Sequence, residues 1–124
     1  MTLRGLMLVA AAALLTAGAN VLLRAGVLRF GEFSLAPESV INGLIGLAKQ
    51  PLFVAGFALY GAAAIVWFSA ISLEELSTAY PVLVGLTFAL VTACAIPLFN
   101  ESFSLQKGLG LGVILVGIVL VSQA

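Results

Sequence analysis

The chain has 124 residues, of which 63% are hydrophobic and 8% charged, and its five basic and five acidic side chains cancel. A soluble domain carries roughly 25% charged residues, so this composition indicates a membrane protein and excludes a soluble catalytic domain. The balanced charge gives no basic patch for nucleic acid. One cysteine and no histidine offer neither a disulfide nor a metal-ligand cluster, so no metal or cofactor is predicted.

Four apolar stretches are each long enough to cross a bilayer, which takes roughly 20 helical residues. Backbone N–H and C=O groups inside lipid must hydrogen-bond to one another, so each stretch is predicted to be a transmembrane helix. The predicted spans run approximately over Leu3–Leu23, Pro51–Leu73, Ser77–Leu98 and Leu105–Val121. The sequence therefore predicts an all-α membrane protein with a single four-helix transmembrane domain over residues 1–124.

Span one carries a polar stripe. Thr16, Asn20 and Arg24 are spaced four residues apart, which places them on one face of a helix. Arg24 lies near the predicted end of the span, where it either anchors the helix at the interface or binds an anionic headgroup through its planar guanidinium. Asn20 either extends this polar track or holds a partner helix.

The link between spans one and two contains a short amphipathic segment. Apolar residues recur at helical spacing from Glu38 to Lys49, and Pro37 suits the start of a helix. The pattern predicts a helix over about residues 38–49 that lies along the membrane interface or re-enters the membrane, with an ordered linker as the remaining alternative.

Spans two and three are joined by the short link Glu74–Ser77, so we expect them to be antiparallel neighbours. The adjacent Glu74 and Glu75 point in different directions, which favours a solvated turn over an acid/base pair. Trp67 lies inside span two and is expected to pack between helices or line a path. Tyr80, near the start of span three, is expected either to anchor that end at the interface or to do the same as Trp67.

Span four is rich in glycine. Gly110 and Gly117 are seven residues apart and share a helix face, which predicts a close helix–helix or dimer contact. In the preceding link, Glu101 is expected to form an ion pair with Lys107 or with Arg24.

Basic residues are unevenly divided between the two membrane faces. The first and third links hold Arg24, Arg29, Lys49 and Lys107, whereas the other face holds Arg4. This bias favours cytoplasmic first and third links, with both termini outside.

These features resemble the small multidrug resistance family of the drug/metabolite transporter superfamily. The resemblance covers all four spans and includes Asn20–Arg24, Ala79–Pro81 and the Gly110/Gly117 pair. Cation antiporters of that family carry a glutamate on helix one that binds both the proton and the cation. Thr16 occupies its place here, and a hydroxyl does not exchange protons at physiological pH, which disfavours cation antiport.

The chain is more similar to the four-helix flippase subunits that move aminoarabinose-phosphoundecaprenol. The matching segments are Leu14–Arg24, Thr78–Leu83, Asn100–Ser104 and the glycine-rich fourth span. This resemblance implies a multi-pass protein of the inner (cytoplasmic) membrane that flips a polyprenyl-phosphate-linked sugar and is not an enzyme.

The expected substrate site follows from that resemblance. Arg24 would hold the phosphate and pair with Glu101 when the site is empty, while Asn20 and Thr16 would line the sugar path. Two aromatic side chains would stack against the sugar or the lipid tail. The six expected substrate-binding residues are Arg24, Asn20, Thr16, Tyr80, Trp67 and Glu101.

Four helices enclose little volume, so we expect a dimer sealed partly by span four. The partner is a second copy or a similar four-helix subunit, and parallel and antiparallel pairs both remain open. Membrane lipids and the lipid-linked sugar are the other expected partners. Two alternative functions remain: a multidrug or guanidinium-type cation/proton antiporter, and a non-transporting membrane subunit of a glycolipid-modifying complex.

Overall fold

A computed structural model describes residues 1–31 and 33–123 and folds them into five helices. Four of the five, all except the second, are long and apolar enough to span a membrane. The predicted all-α fold with four transmembrane helices and one short additional helix is confirmed. In chain order the helices are α1 (Leu3–Phe30), α2 (Val40–Ala48), α3 (Pro51–Ile71), α4 (Leu76–Phe99) and α5 (Leu105–Gln123).

The first helix is longer than the sequence predicts. It continues past Leu23 to Phe30 and ends at Gly31, whose φ of 106° suits a residue without a Cβ. Its 28 residues span about 42 Å at 1.5 Å per residue, more than the roughly 30 Å hydrocarbon core. The helix therefore continues for six residues beyond Arg24, and the position of Arg24 near the end of the membrane span stays a prediction.

Small residues hold α1 closely against α3. A Cβ added at Gly56 would lie 2.9 Å from the carbonyl oxygen of Ala19, and a Cβ at Gly26 would lie 2.6 Å from the backbone nitrogen of Phe53. Inside lipid, such residues let two backbones approach and gain dispersion contacts. The α1–α3 contact is the most extensive helix pair, followed by α1–α4.

By contrast, α3 and α4 make the fewest contacts of any packed helix pair. The two helices meet, since Trp67 of α3 contacts Tyr80 of α4, but their contact is limited although their link is short. Because α1 packs against both, it separates them, and the space between α3 and α4 stays open on one side.

The last helix lies at the edge of the bundle. It packs against α4 alone among the described helices, and Ile118 sits where Gly85 leaves room for it. Most of its other large apolar side chains are exposed, as expected for a helix surrounded by lipid. The α4–α5 connection begins at Asn100, which has the left-handed φ of 52° that asparagine tolerates at the end of a helix.

The short helix α2 packs on the end of α1. Leu47 is buried, and Gly46 faces the ring of Phe30. Ile41 and Leu44 of the same helix are more than half exposed, which suits a helix that meets lipid. Its position along the interface stays a prediction.

At the opposite end of the bundle, Glu74 ties the α3–α4 link to the start of α1. Its Oε1 accepts hydrogen bonds from the Thr2 hydroxyl at 2.6 Å and from the Thr2 backbone N–H at 2.9 Å. The Thr2 hydroxyl bond first, and then the backbone bond, lower the pKa of Glu74. Glu74 stays solvent-accessible, as predicted for this turn, and it also caps the amino terminus of α1.

Candidate substrate groove

A groove of about 360 Å³, the central groove, lies between α3 and α4 and has α1 at its base. Its volume falls within the roughly 300–1,000 Å³ typical of small-molecule sites. Alanines from α1 and α3 leave the space into which larger side chains project. The polar and aromatic residues that line it are Thr16 and Asn20 of α1, Tyr60 and Trp67 of α3, and Tyr80 and Thr87 of α4.

The polar side chains of α1 are partly satisfied by their own helix. The Thr16 hydroxyl donates to the carbonyl oxygen of Ala12 at 2.7 Å, and Nδ2 of Asn20 donates to the carbonyl oxygen of Thr16 at 3.0 Å. These bonds reduce the cost of polar groups inside lipid. The side-chain oxygen of Asn20 accepts no hydrogen bond from a described residue, so it remains available to a ligand.

Aromatic side chains close one end of the central groove. The rings of Trp67 and Tyr80 meet edge to face, with centroids 6.2 Å apart and planes at 62°. This arrangement is attractive for an aromatic pair and joins α3 to α4 near their link. Tyr60 and Tyr80 are about half exposed, so their rings also border the opening of the groove.

A second cavity, the arginine crevice, has a volume of about 190 Å³ and lies between α1 and the end of α4. Arg24 lines it, about 12 Å along α1 from Thr16 at 1.5 Å per residue. Asn20 lines both cavities, so they adjoin each other along the polar stripe of α1.

The Arg24 guanidinium lies between an aromatic ring and a carboxylate. It is 5.6 Å from the centroid of Phe99, and its Nη2 is 3.7 Å from Oε2 of Glu101. That separation is beyond normal hydrogen-bond length, and the two side chains are 52% and 36% exposed. Such a pair contributes about 0.2–1 kcal/mol. Arg24 donates no hydrogen bond to another described residue, which leaves its planar fork available.

Of the two partners expected for Glu101, the structure pairs it with Arg24. Lys107 instead donates from Nζ to the carbonyl oxygen of Ser102 at 2.8 Å. Within the described residues, no group of three or more potential metal-ligating side chains forms.

The structure thus brings the six expected substrate-binding residues into two adjoining cavities. Gly110 and Gly117 lie elsewhere, on α5, and a Cβ added at either would have no neighbour within 4 Å. The groove also contains a second tyrosine, Tyr60 of α3, which is not one of these six residues.

Sequence reasoning missed Thr87. Its Oγ1 is buried and has no hydrogen-bond partner among the described residues. A signal was present, because Thr87 lies seven residues after Tyr80 and two helical turns place both on one face of α4.

The comparisons with known proteins give the family of the chain. No protein family model matches it, and no solved structure does. The chain is 38% identical over 109 residues to a protein of Yersinia enterocolitica described as the probable 4-amino-4-deoxy-L-arabinose-phosphoundecaprenol flippase subunit ArnF. The aligned region covers 84% of this chain and 82% of that relative. The chain belongs to the ArnF family of flippase subunits.

Two other relatives match most of the chain. A protein of Pseudomonas fluorescens that is also described as a probable flippase subunit ArnF is 29% identical over 123 residues, which cover 96% of this chain and 87% of the relative. An uncharacterized protein of Sinorhizobium fredii is 34% identical over 107 residues, or 86% of this chain and 89% of the relative. ArnF membership confirms the resemblance to flippase subunits. Together with the four apolar helices, it identifies a multi-pass protein of the bacterial inner membrane.

Proposed function

We propose that this ArnF-family chain moves a polyprenyl-phosphate-linked sugar across the inner membrane, with Arg24 binding the phosphate and the central groove holding the sugar. The observation that carries the proposal is the junction at Asn20. There a crevice with one available guanidinium adjoins a groove lined by uncharged polar and aromatic groups. The substrate matches this arrangement, because its charged phosphate is attached to a sugar that would lie in the uncharged groove.

The phosphate competes with Glu101 for Arg24. A hydrogen bond to a charged group contributes about 1.5–3 kcal/mol, and arginine can offer two parallel ones to a phosphate. The 3.7 Å pair with Glu101 contributes about 0.2–1 kcal/mol because it is long and partly exposed. A phosphate in the crevice is therefore expected to displace the carboxylate.

The sugar would then lie beside Asn20 and Thr16, at the middle of α1. Leaving hydroxyl groups without partners in hydrocarbon is costly, and the groove supplies polar partners along its length. The opening between α3 and α4 lets the polyprenyl tail stay in lipid. Release on the other side requires the Trp67–Tyr80 contact to separate, since it closes that end of the groove.

We further propose that the arginine crevice faces the cytoplasm. Arg24 and Arg29 lie toward the carboxyl end of α1, and Lys49 and Lys107 lie in links at the same end of the bundle. The positive-inside rule places such an end in the cytoplasm.

We also propose that a similar four-helix subunit, or a second copy of this chain, packs on α5. This helix has a single described helical neighbour, and the open positions Gly110 and Gly117 would let another backbone approach.

Cation/proton antiport is not favoured by the groove. Among the described residues no carboxylate lines it, and Thr16 stands at its centre. The groove therefore lacks the titratable group with which an antiporter exchanges a proton for a cation.

Flipping of a radiolabelled glycosyl polyprenyl phosphate in proteoliposomes tests the proposal. Purified protein should accelerate flipping, alone or with an added partner subunit, and Arg24→Ala should abolish the acceleration. Arg29→Ala is the matched control, because it removes an exposed arginine from the same helix outside both cavities. No acceleration in any combination would contradict transport and favour a non-transporting subunit. Proton release coupled to an added organic cation would instead favour the antiporter.

A further inference from the structure

A third cavity, the α4–α5 groove, has a volume of about 460 Å³ and lies between the last two helices. Ile118, which is buried in the space left by Gly85, forms its floor. Phe88 of α4 and Ile114 of α5 line it and are both more than a third exposed. Apart from Tyr80, every residue of its lining has an apolar side chain. The groove therefore suits a hydrocarbon chain and is unsuited to a charged or hydroxylated headgroup.

One row of side chains on α4 separates this groove from the central groove. Tyr80 and Val84 line both grooves, and Phe88 follows at the same spacing of four residues and lines the α4–α5 groove. Tyr80 and Val84 are each about half exposed. The row therefore forms an exposed ridge, with uncharged polar groups on the α1 side and apolar groups on the α5 side.

The same face of α4 leads to the arginine crevice. Val91, Ala95 and Phe99 follow Phe88 at helical spacing, and all three line the crevice. Eleven residues separate Phe88 from Phe99, which corresponds to about 16.5 Å at 1.5 Å per residue. A lipid whose phosphate binds Arg24 can therefore reach the α4–α5 groove only if its tail is long enough to cover this distance.

We propose that the polyprenyl tail of the substrate occupies the α4–α5 groove while its phosphate lies at Arg24, so that the protein selects isoprenoid phosphates with long tails. This inference rests on the proposed function, since it takes the phosphate site at Arg24 as given. The sugar and the tail are attached to one phosphate and then lie on opposite sides of the ridge. The continuous face of α4 favours a tail that is joined to the bound phosphate over a helix of the partner subunit, which has no link to Arg24.

Equilibrium binding of two radiolabelled probes tests this inference. The probes are undecaprenyl phosphate and its short homologue geranyl phosphate, at equal mole fractions in nanodiscs that hold the purified protein. The geranyl tail is too short to reach the groove from Arg24. Gly117→Leu fills the groove from α5, and the open space around this glycine accepts the larger side chain. Gly112→Leu is the matched control, because Gly112 also has open space on α5 but lines neither the groove nor the crevice.

Wild-type protein should bind undecaprenyl phosphate more tightly than geranyl phosphate. A tail gains no hydrophobic free energy on moving from lipid into an apolar groove, so its contribution comes from dispersion contacts. Gly117→Leu should weaken undecaprenyl phosphate binding about three- to tenfold, as expected when about ten such contacts are lost and partly replaced by contacts with lipid. It should leave geranyl phosphate binding unchanged, and Gly112→Leu should leave both unchanged.

Photocrosslinking to the wild-type protein gives a second test that does not depend on the folding of a variant. Undecaprenyl phosphate with a photoreactive group on its tail should form adducts with Phe88 and Ile114. Adducts confined to Leu109 and Val113, which line another face of α5, would overturn the inference.

The inference is also overturned if wild-type protein shows no preference for the long tail, as expected when phospholipid acyl chains fill the groove. The same holds if Gly117→Leu weakens both probes or neither of them. An equal loss from Gly110→Leu, which alters the proposed α5 interface but not the groove lining, would indicate subunit association instead. If Arg24→Ala weakens both probes while Gly117→Leu changes neither, the phosphate site stands and only the tail site fails. If Arg24→Ala also changes neither, the proposed function itself fails.

Discussion

Replacing Arg24 is the perturbation that addresses the phosphate site most directly. Arg24→Ala removes the guanidinium and with it the two hydrogen bonds that the fork can direct to a phosphate. Some of that energy is already offset, because binding must break the 3.7 Å pair with Glu101, and the site is about half exposed. A net loss of about 1.5–3 kcal/mol corresponds to a dissociation constant about 10- to 150-fold higher.

Equilibrium binding of a radiolabelled, sugar-free polyprenyl phosphate measures this loss without interference from the groove. Arg24→Lys should give an intermediate affinity, since it keeps the charge and loses the fork. Glu101→Gln should tighten binding about 1.4- to 5-fold, because it removes the competing carboxylate. The control Arg29→Ala should change the affinity less than twofold. An equal loss from Arg24→Ala and Arg29→Ala would refute the reasoning, since it would mean nonspecific attraction of an anion to a basic surface.

Three further predictions concern the scaffold. Gly56→Ala should destabilise the protein by about 1–3 kcal/mol in micelle unfolding, because its Cβ meets the α1 backbone, whereas Gly61→Ala has open space and should be neutral. The hydrogen bonds from Thr2 lower the pKa of Glu74, so its carboxylate should stabilise the fold fully above the ordinary pKa of 4.5. This stabilisation should be lost as the pH falls through the lowered pKa, and melting curves of Glu74→Gln should lack the acid dependence. The double variant Gly110→Leu, Gly117→Leu should reduce subunit association in native mass spectrometry and leave the melting temperature of the monomer unchanged. Unchanged association would count against an interface on α5.

The transmembrane helices were predictable because long apolar runs have one stable form in lipid. The extent of α1 was not, since the charge at Arg24 suggests a boundary. The following residues continue the helix until Gly31 ends it. The small extent of the contact between α3 and α4 was not predictable either, because link length does not determine how closely two helices pack. Gly56 and Gly26 bring α1 against α3, and this keeps α4 apart from α3.

The candidate site was predictable where its residues repeat along one helix. The spacing of Thr16, Asn20 and Arg24 defines a stripe whatever lies opposite. Thr87 belongs to the facing helix α4, whose threonines Thr78, Thr87 and Thr92 do not repeat on one face. Its place in the lining of the groove depends on the packed structure.

The central claim is that the sugar headgroup crosses the membrane through the groove between α3 and α4. The most direct measurement uses a glycosyl polyprenyl phosphate with a photoreactive group on the sugar, crosslinked during transport and mapped by mass spectrometry. We expect adducts on groove residues of both helices, such as Tyr60 and Thr87, and their loss in Arg24→Ala. Adducts confined to the outer face of α5, with transport intact, would contradict the claim.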